Sequence, residues 1–176
     1  MNDIRHFNDE YLKAVRIAVT AGHELSKFNM DALQAKSISS LTDSQVHALT
    51  KSSLCVAAPN VALWMLSETQ NSSGSSWNIY PADVYELNYL YLSTAKYVCA
   101  KNPKLATLTM GFDYAVSCQM SHLTKKDIKR IAVSKPLLFK LFIPGSTLRG
   151  IAKLPHHATR NLHLLPMLSN NYCARS

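Results

Sequence analysis

Apolar residues recur at helical spacing in two stretches of this chain. Residues 11–19 read Tyr-Leu-Lys-Ala-Val-Arg-Ile-Ala-Val, and residues 91–99, 80 positions later, read Tyr-Leu-Ser-Thr-Ala-Lys-Tyr-Val-Cys. Side chains three and four residues apart lie on one face of an α-helix. The pattern therefore predicts a long helix over residues 9–21 and a second over residues 82–100.

A shorter pattern repeats at an offset of 82 residues. It has the form Leu-Thr-x-x-(Gln/Asp)-(Val/Ile)-x-x-(Leu/Ile) and begins at Leu41 and again at Leu123. A threonine followed three residues later by Gln or Asp is typical of a capped helix start. Thr42 and Thr124 therefore each predict a helix that begins just after them. Five residues are identical at this offset: Asp31 and Asp113, Ser39 and Ser121, Leu41 and Leu123, Thr42 and Thr124, Ser52 and Ser134.

Each half of the chain thus predicts the same series of elements. Short helices are expected over residues 30–36 and 112–118, short strands over 54–57 and 137–143, and last helices over 60–69 and 147–154, the latter capped by Ser146. Residues 71–76, Asn-Ser-Ser-Gly-Ser-Ser, have linker composition. The prediction is a mainly α protein of two similar small helical modules, each with a helix-turn-helix-like unit. The first module spans residues 1–70, a linker 71–78, the second module 79–155, and an extension 156–176.

Composition narrows the class of protein. Of 176 residues, 47% are apolar and 17% are charged, which favours a globular chain with a buried core. The start is polar and has no apolar leader, and the apolar runs are too short to span a membrane. The four cysteines are not spaced as Cys-x-x-Cys pairs, which favours reduced thiols. We therefore expect a cytoplasmic protein.

The positive charge is uneven. Residues 1–76 hold six Lys/Arg and seven Asp/Glu, whereas residues 77–176 hold thirteen Lys/Arg and four Asp/Glu. From Ser117 onward, ten basic residues accompany one acid, Asp127. Such asymmetry favours an anionic partner for the second half, although a basic surface that only keeps the chain soluble is the alternative.

The third helix of the second half is the candidate DNA contact. In a helix-turn-helix the second helix lies in the major groove, and Lys and Arg on its exposed face contact phosphates. The counterpart helix, residues 43–51, is nearly neutral, which predicts a structural or dimerising role for the first module. A solvated charged face is the alternative interpretation. The candidate DNA-binding residues are Lys125, Lys126, Lys129, Arg130, Lys135, Lys140, Arg149, Lys153 and Arg160.

Other chemistries find little support in the sequence. His156, His157, His163 and Cys173 fit no common zinc spacing, so a surface tail is favoured over a metal site. No nucleophile elbow, carboxylate pair or phosphate loop is present, and we expect no enzyme activity and no cofactor. The tyrosines at 85, 89, 91 and 97 have the spacing of a core or dimer seam rather than of base-stacking residues.

Each half resembles the FlhD-type subunit of the flagellar master transcription activator and its relatives on conjugative elements. In the second half the similar stretches are residues 85–92 (Tyr-Glu-Leu-Asn-Tyr-Leu-Tyr-Leu), Gly111-Phe112 and Leu123-Thr124-x-x-Asp127-Ile128. In the first half they are Tyr11-Leu12, Asn29-Met30 and Leu41-Thr42-x-x-Gln45-Val46. The similarity spans residues 8–68 and 83–155. It implies a small α-helical activator that dimerises and acts with a second, zinc-bearing subunit. Two modules in one chain could stand in for the family's dimer.

Taken together, these patterns predict a transcription regulator. The preferred hypothesis is an activator, as a homodimer, that binds duplex DNA upstream of promoters of conjugative-transfer or motility genes and contacts RNA polymerase or a second subunit. The alternative is an adaptor subunit that joins a DNA-binding partner and touches no DNA. RNA binding is disfavoured because no aromatic-rich sheet motif is present.

Overall fold

The computed structural model describes residues 2–23, 28–60, 81–133 and 137–154. These residues form a mainly α-helical fold with one pair of short strands, which confirms the predicted fold class. The first half contains α1 (Asn2–Thr20), α2 (Ala32–Ser39), α3 (Asp43–Thr50) and β1 (Ala57–Pro59). The second half contains α4 (Pro81–Lys101), α5 (Pro103–Met110), α6 (Tyr114–Ser121), α7 (Lys125–Ala132), β2 (Phe139–Leu141) and α8 (Gly145–Ala152).

The long helices α1 and α4 bury the same face. Each buried residue on α1 has a buried counterpart 80 positions later on α4, as the apolar spacing predicted. The match includes a polar residue, since Asn8 and Asn88 are both fully buried. The pairs are Ile4 and Val84, Phe7 and Leu87, Asn8 and Asn88, Tyr11 and Tyr91, Leu12 and Leu92, Val15 and Ala95, Ala18 and Val98.

The short helices repeat at an offset of 82. Helices α6 and α7 and strand β2 begin and end 82 residues after α2, α3 and β1. Thr42 and Thr124 cap α3 and α7, each in a reciprocal capping box with the residue three positions on. The helix starts predicted from the two threonines are therefore confirmed.

The entry to the second helix also repeats. Asn29 has φ 55° and Gly111 has φ 74°, both in the left-handed region, and they lie 82 positions apart. Asn and Gly are the residues that adopt this conformation most readily. Two residues later, Asp31 and Asp113 accept a first-turn backbone amide as N-caps. The chain therefore makes the same reversal before α2 and before α6.

By compactness the described chain divides into two units. Unit 1 comprises residues 1–57 and 141–176, and unit 2 comprises residues 58–140. The units cut across the sequence-based modules, because residues 141–154 were assigned to the second module and belong with unit 1. The predicted helix over residues 60–69, the linker and the extension from residue 156 lie outside the described residues.

In unit 1, α8 packs against α2. The buried Gln34 amide donates to the carbonyls of Leu141 and Ile143 at 3.1 and 2.9 Å, and Ser37 Oγ donates to the carbonyl of Gly145 at 3.1 Å. A Cβ on Gly145 would lie 2.6 Å from Leu33 Cγ, so only glycine allows this approach.

The predicted cap of α8 was wrong. Ser146 does not cap this helix; Pro144 occupies the N-cap position, without a side-chain hydrogen bond. The close packing of Gly145 on α2 sets where the helix begins.

In unit 2, α4 is the central helix and contacts α5, α6 and α7. The ring of Tyr91 packs on Phe139 at 4.6 Å and on Phe112 at 6.1 Å between centroids. Helix α5 was not predicted, although Asn102 as N-cap, Pro103 at the first position and Gly111 at the end are ordinary helix boundary residues.

The strands β1 and β2 pair with each other in an antiparallel sense. Asn60 N donates to the carbonyl of Leu138 at 2.9 Å, and Phe142 N donates to the carbonyl of Val56 at 2.8 Å. Both predicted strand regions therefore contain a strand. Within the described ranges, no helix has the length and apolar composition needed to span a membrane.

Candidate nucleic-acid interface

Helix α7 begins with a charged capping box. Asp127 Oδ2 accepts the backbone amide of Thr124 at 3.0 Å and its hydroxyl at 2.6 Å, and Thr124 Oγ1 accepts the amide of Asp127 at 3.2 Å. These hydrogen bonds, with smaller contributions from Arg130 and Lys126, lower the pKa of Asp127 below its usual range. The one acid of the helix is therefore ionised and engaged in the cap.

The exposed face of α7 is basic. Lys125, Lys126, Lys129 and Arg130 are all exposed, while Ile128 and Ala132 are buried and Ile131 is half-buried. Arg130 lies 3.6 Å from Asp127, a weak exposed pair. In the part of the chain that the structure describes, no carboxylate pairs with the three lysines. Lys125 and Lys129 lie one helical turn apart, so they can reach successive phosphates.

The matched face of α3 in unit 1 is electrically different. The positions of Lys125 and Lys129 are occupied there by Asp43 and His47. Asp43 Oδ1 accepts from Arg16 at 2.6 Å, and the same guanidinium donates to the carbonyl of Leu41 at 2.7 Å. The charge of Asp43 is therefore balanced within unit 1, and α3 presents no basic face.

The remaining predicted DNA-binding residues are not brought to α7 as one set. Lys140 is the exposed middle residue of β2 in unit 2. Arg149 and Lys153 are exposed one turn apart along α8 in unit 1. Lys135 and Arg160 lie outside the described residues. The basic series that is continuous in sequence is thus divided between two compact units.

The tyrosines of α4 have three different environments. Tyr91 is fully buried, whereas Tyr85 and Tyr89 are half-buried and stack on each other with centroids 6.1 Å apart. Tyr97 is exposed, and Lys101 Nζ lies 4.2 Å above its ring. The sequence analysis did not single out Lys101, although an aromatic and a lysine at i and i+4 are neighbours on a helix.

No metal-ligating group is formed by the residues that the structure describes. The histidines and Cys173 weighed as zinc ligands fall in the extension, outside those residues. Cys55 and Cys99 are buried, and burial raises their thiol pKa to about 12 and about 11. Neither thiol has the lowered pKa of a reactive cysteine.

The observations so far define a mainly α-helical protein with a capped, basic helix exposed on one unit. Comparison with protein-family models, with curated proteins and with solved structures gave no significant match. The resemblance to the FlhD-type family therefore stays a prediction from the quoted residues.

Proposed function

We propose that this chain is a transcription regulator, most simply an activator, that binds duplex DNA through α7 of unit 2. The observation that carries the proposal is the arrangement on α7 itself. Its one acid is used in the cap, three lysines have no acidic partner within the described residues, and the matched helix α3 carries no such face. A solvated surface helix does not require this difference between two otherwise matched helices.

The order α6–turn–α7 supports the same function. The two helices are separated by residues 122–124, and the second begins at a well-formed cap. In helix-turn-helix proteins the start of the second helix approaches the base edges. Lys125 and Lys126 hold that position, where the positive end of the helix dipole also favours phosphate.

The test is DNA binding by the full chain as a function of salt. Labelled promoter duplex is titrated by fluorescence anisotropy at several salt concentrations with the unaltered chain, Lys125→Ala and Lys129→Ala. Each lost phosphate contact should lower the slope of log K against log salt by about 0.9. Lys51→Ala, an exposed lysine at the end of α3, removes the same charge and is the matched control.

Equal slopes for Lys129→Ala and Lys51→Ala would assign binding to net charge alone and would contradict the proposal. Arg149→Ala and Lys153→Ala test whether α8 makes a separate contact. If it does, each should lower the slope independently of the α7 variants.

A second candidate function is a protein-binding adaptor, favoured by the exposed apolar face of α5. Leu105 and Leu108 lie one turn apart and are 42% and 66% exposed. Large exposed apolar side chains on one helix face are typical of a protein contact. Absence of DNA binding at low salt by the isolated chain would favour the adaptor over the regulator that binds DNA itself.

A further inference from the structure

Unit 1 contains an open groove between α1 and α3. Its volume is about 640 Å³, and its apolar part includes Ile17, Val46 and Ala21. Ile17 is 69% exposed, although it is a large aliphatic residue on a helix whose other face is fully packed. An exposed aliphatic side chain in a concave site indicates that something else covers it.

The charged residues at the rim of the groove are already paired. Lys13 lies 2.6 Å from Asp9 and 3.0 Å from Glu10, and Arg16 lies 2.6 Å from Asp43. These pairs leave little net charge to attract a charged partner. The groove therefore suits an apolar segment without acidic residues.

The described part of the chain ends beside this groove. Gln45 Nε2, on α3, lies 3.4 Å from the carbonyl oxygen of Leu154, the last described residue of unit 1. Residues 155–176 follow. They contain Arg160 and Arg175 but no acid, and residues 162–168 read Leu-His-Leu-Leu-Pro-Met-Leu.

The distance is easily bridged. The eight residues 155–162 can extend over about 26 Å, whereas α3 is only about 12 Å long. We propose that residues 162–168 dock in the groove between α1 and α3 and cover Ile17 and Val46. The matched faces of the two units then have different uses, a docking site for the chain's own segment in unit 1 and the basic face of α7 in unit 2.

The test measures how fast a thiol in the groove reacts. Ile17→Cys is introduced into the full chain with Cys118 and Cys173 replaced by serine. Cys55 and Cys99 stay, because they are buried and their raised pKa makes them slow to react. The rate of maleimide labelling at position 17 reports whether the groove is covered.

Two tail variants are compared on this background. Leu165→Asp with Leu168→Asp should release the segment, because charged side chains do not bury in an apolar groove. Labelling at position 17 should then rise about tenfold or more. Asn170→Asp with Asn171→Asp adds the same two charges to the same tail without removing leucine, and should leave the rate unchanged.

A second reporter distinguishes docking from a general change in the fold. Leu108→Cys, exposed on α5 of unit 2, should react at the same rate in both tail variants. Equal rates at position 17 in all tail variants would overturn the proposal. A rate at position 17 that rises on dilution would assign the covering segment to a second copy of the chain and would also overturn it. The labelling requires no DNA, so its result is independent of the test of the proposed function.

Discussion

Asn8 and Asn88 lie 80 residues apart in the chain and make the same hydrogen bond in their two units. Asn8 Oδ1 accepts the backbone amide of Val56 at 2.9 Å, and Asn88 Oδ1 accepts that of Leu138 at 3.0 Å. Each asparagine thereby ties its long helix to the segment that leads into a strand. The bond is internal to each unit and has been kept where most apolar pairs have changed identity.

Replacing either asparagine should destabilise the unit that contains it. Asn88→Ala leaves the buried amide of Leu138 without its acceptor, and we expect a loss of about 1–3 kcal/mol in the free energy of unfolding. Asn8→Ala should have an effect of the same size through Val56. Urea unfolding followed by circular dichroism measures both. Asn2→Ala, exposed at the start of α1, should change stability by less than about 0.5 kcal/mol; equal losses at positions 2 and 88 would contradict the interpretation.

The packing of α8 on α2 can be tested with two glycines of one helix. Gly145→Ala should cost about 1–3 kcal/mol, because its Cβ would lie 2.8 Å from Gln34 N and 2.6 Å from Leu33 Cγ. Gly150→Ala meets no atom within 4 Å and should be neutral or stabilise the helix by up to about 1 kcal/mol. Thermal unfolding of the two variants compares them directly. A loss at position 150 as large as at position 145 would mean that the helix does not pack as described.

The buried amide of Gln45 performs two tasks that can be separated. Its Oε1 accepts the amide of Thr42 at 2.8 Å, and its Nε2 donates to the carbonyl of Ile151 at 2.8 Å. Gln45→Glu keeps an acceptor for the cap but removes the donor and places a carboxylate near a buried carbonyl oxygen. We expect a loss of at least about 2 kcal/mol in chemical denaturation at neutral pH. Gln119→Glu, the same change at an exposed position of α6, should have little effect.

The cap of α7 should depend on pH, whereas the cap of α3 should not. The folded state lowers the pKa of Asp127 through its hydrogen bonds with Thr124. The stabilisation is therefore present above the usual carboxyl pKa of about 3.9 and is lost as pH falls through the lowered value. The NMR amide shift of Thr124 should follow this titration, and that of Thr42, which is bonded to the neutral Gln45, should not. An unchanged Thr124 shift down to the acid limit of folding would contradict the cap geometry.

Local sequence patterns predicted most of the helices because their signals are local. The apolar faces of α1 and α4 and the threonine caps of α3 and α7 are set by residues within a few turns of one another. Where packing between distant segments decides, the pattern was insufficient. Ser146 is a good N-cap in isolation, yet contact between Gly145 and α2 places the start of α8 one residue earlier.

The candidate site was predictable to the same extent. Four basic residues belong to one helix, and their exposure follows from the burial of Ile128 and Ala132 on its other side. The separation of Arg149 and Lys153 into unit 1 could not be predicted, because a run of charge in the sequence does not specify which unit will hold each part of it. Helix α5 was missed because its apolar spacing is short, although its boundary residues were visible.

The hydrogen bonds of Gln34 and Gln45 with the segment after β2 also fix an order of events during synthesis. Gln34 and its acceptor Leu141 are 107 residues apart in sequence. On a ribosome, α1, α2 and α3 emerge long before α8, so the buried amides of unit 1 must wait for their acceptors while the whole of unit 2 is translated. Unit 2, residues 58–140, is complete as soon as it has emerged. The first segment made should therefore be the last unit to fold, and a chain that stops before residue 141 should be the form most in need of a chaperone.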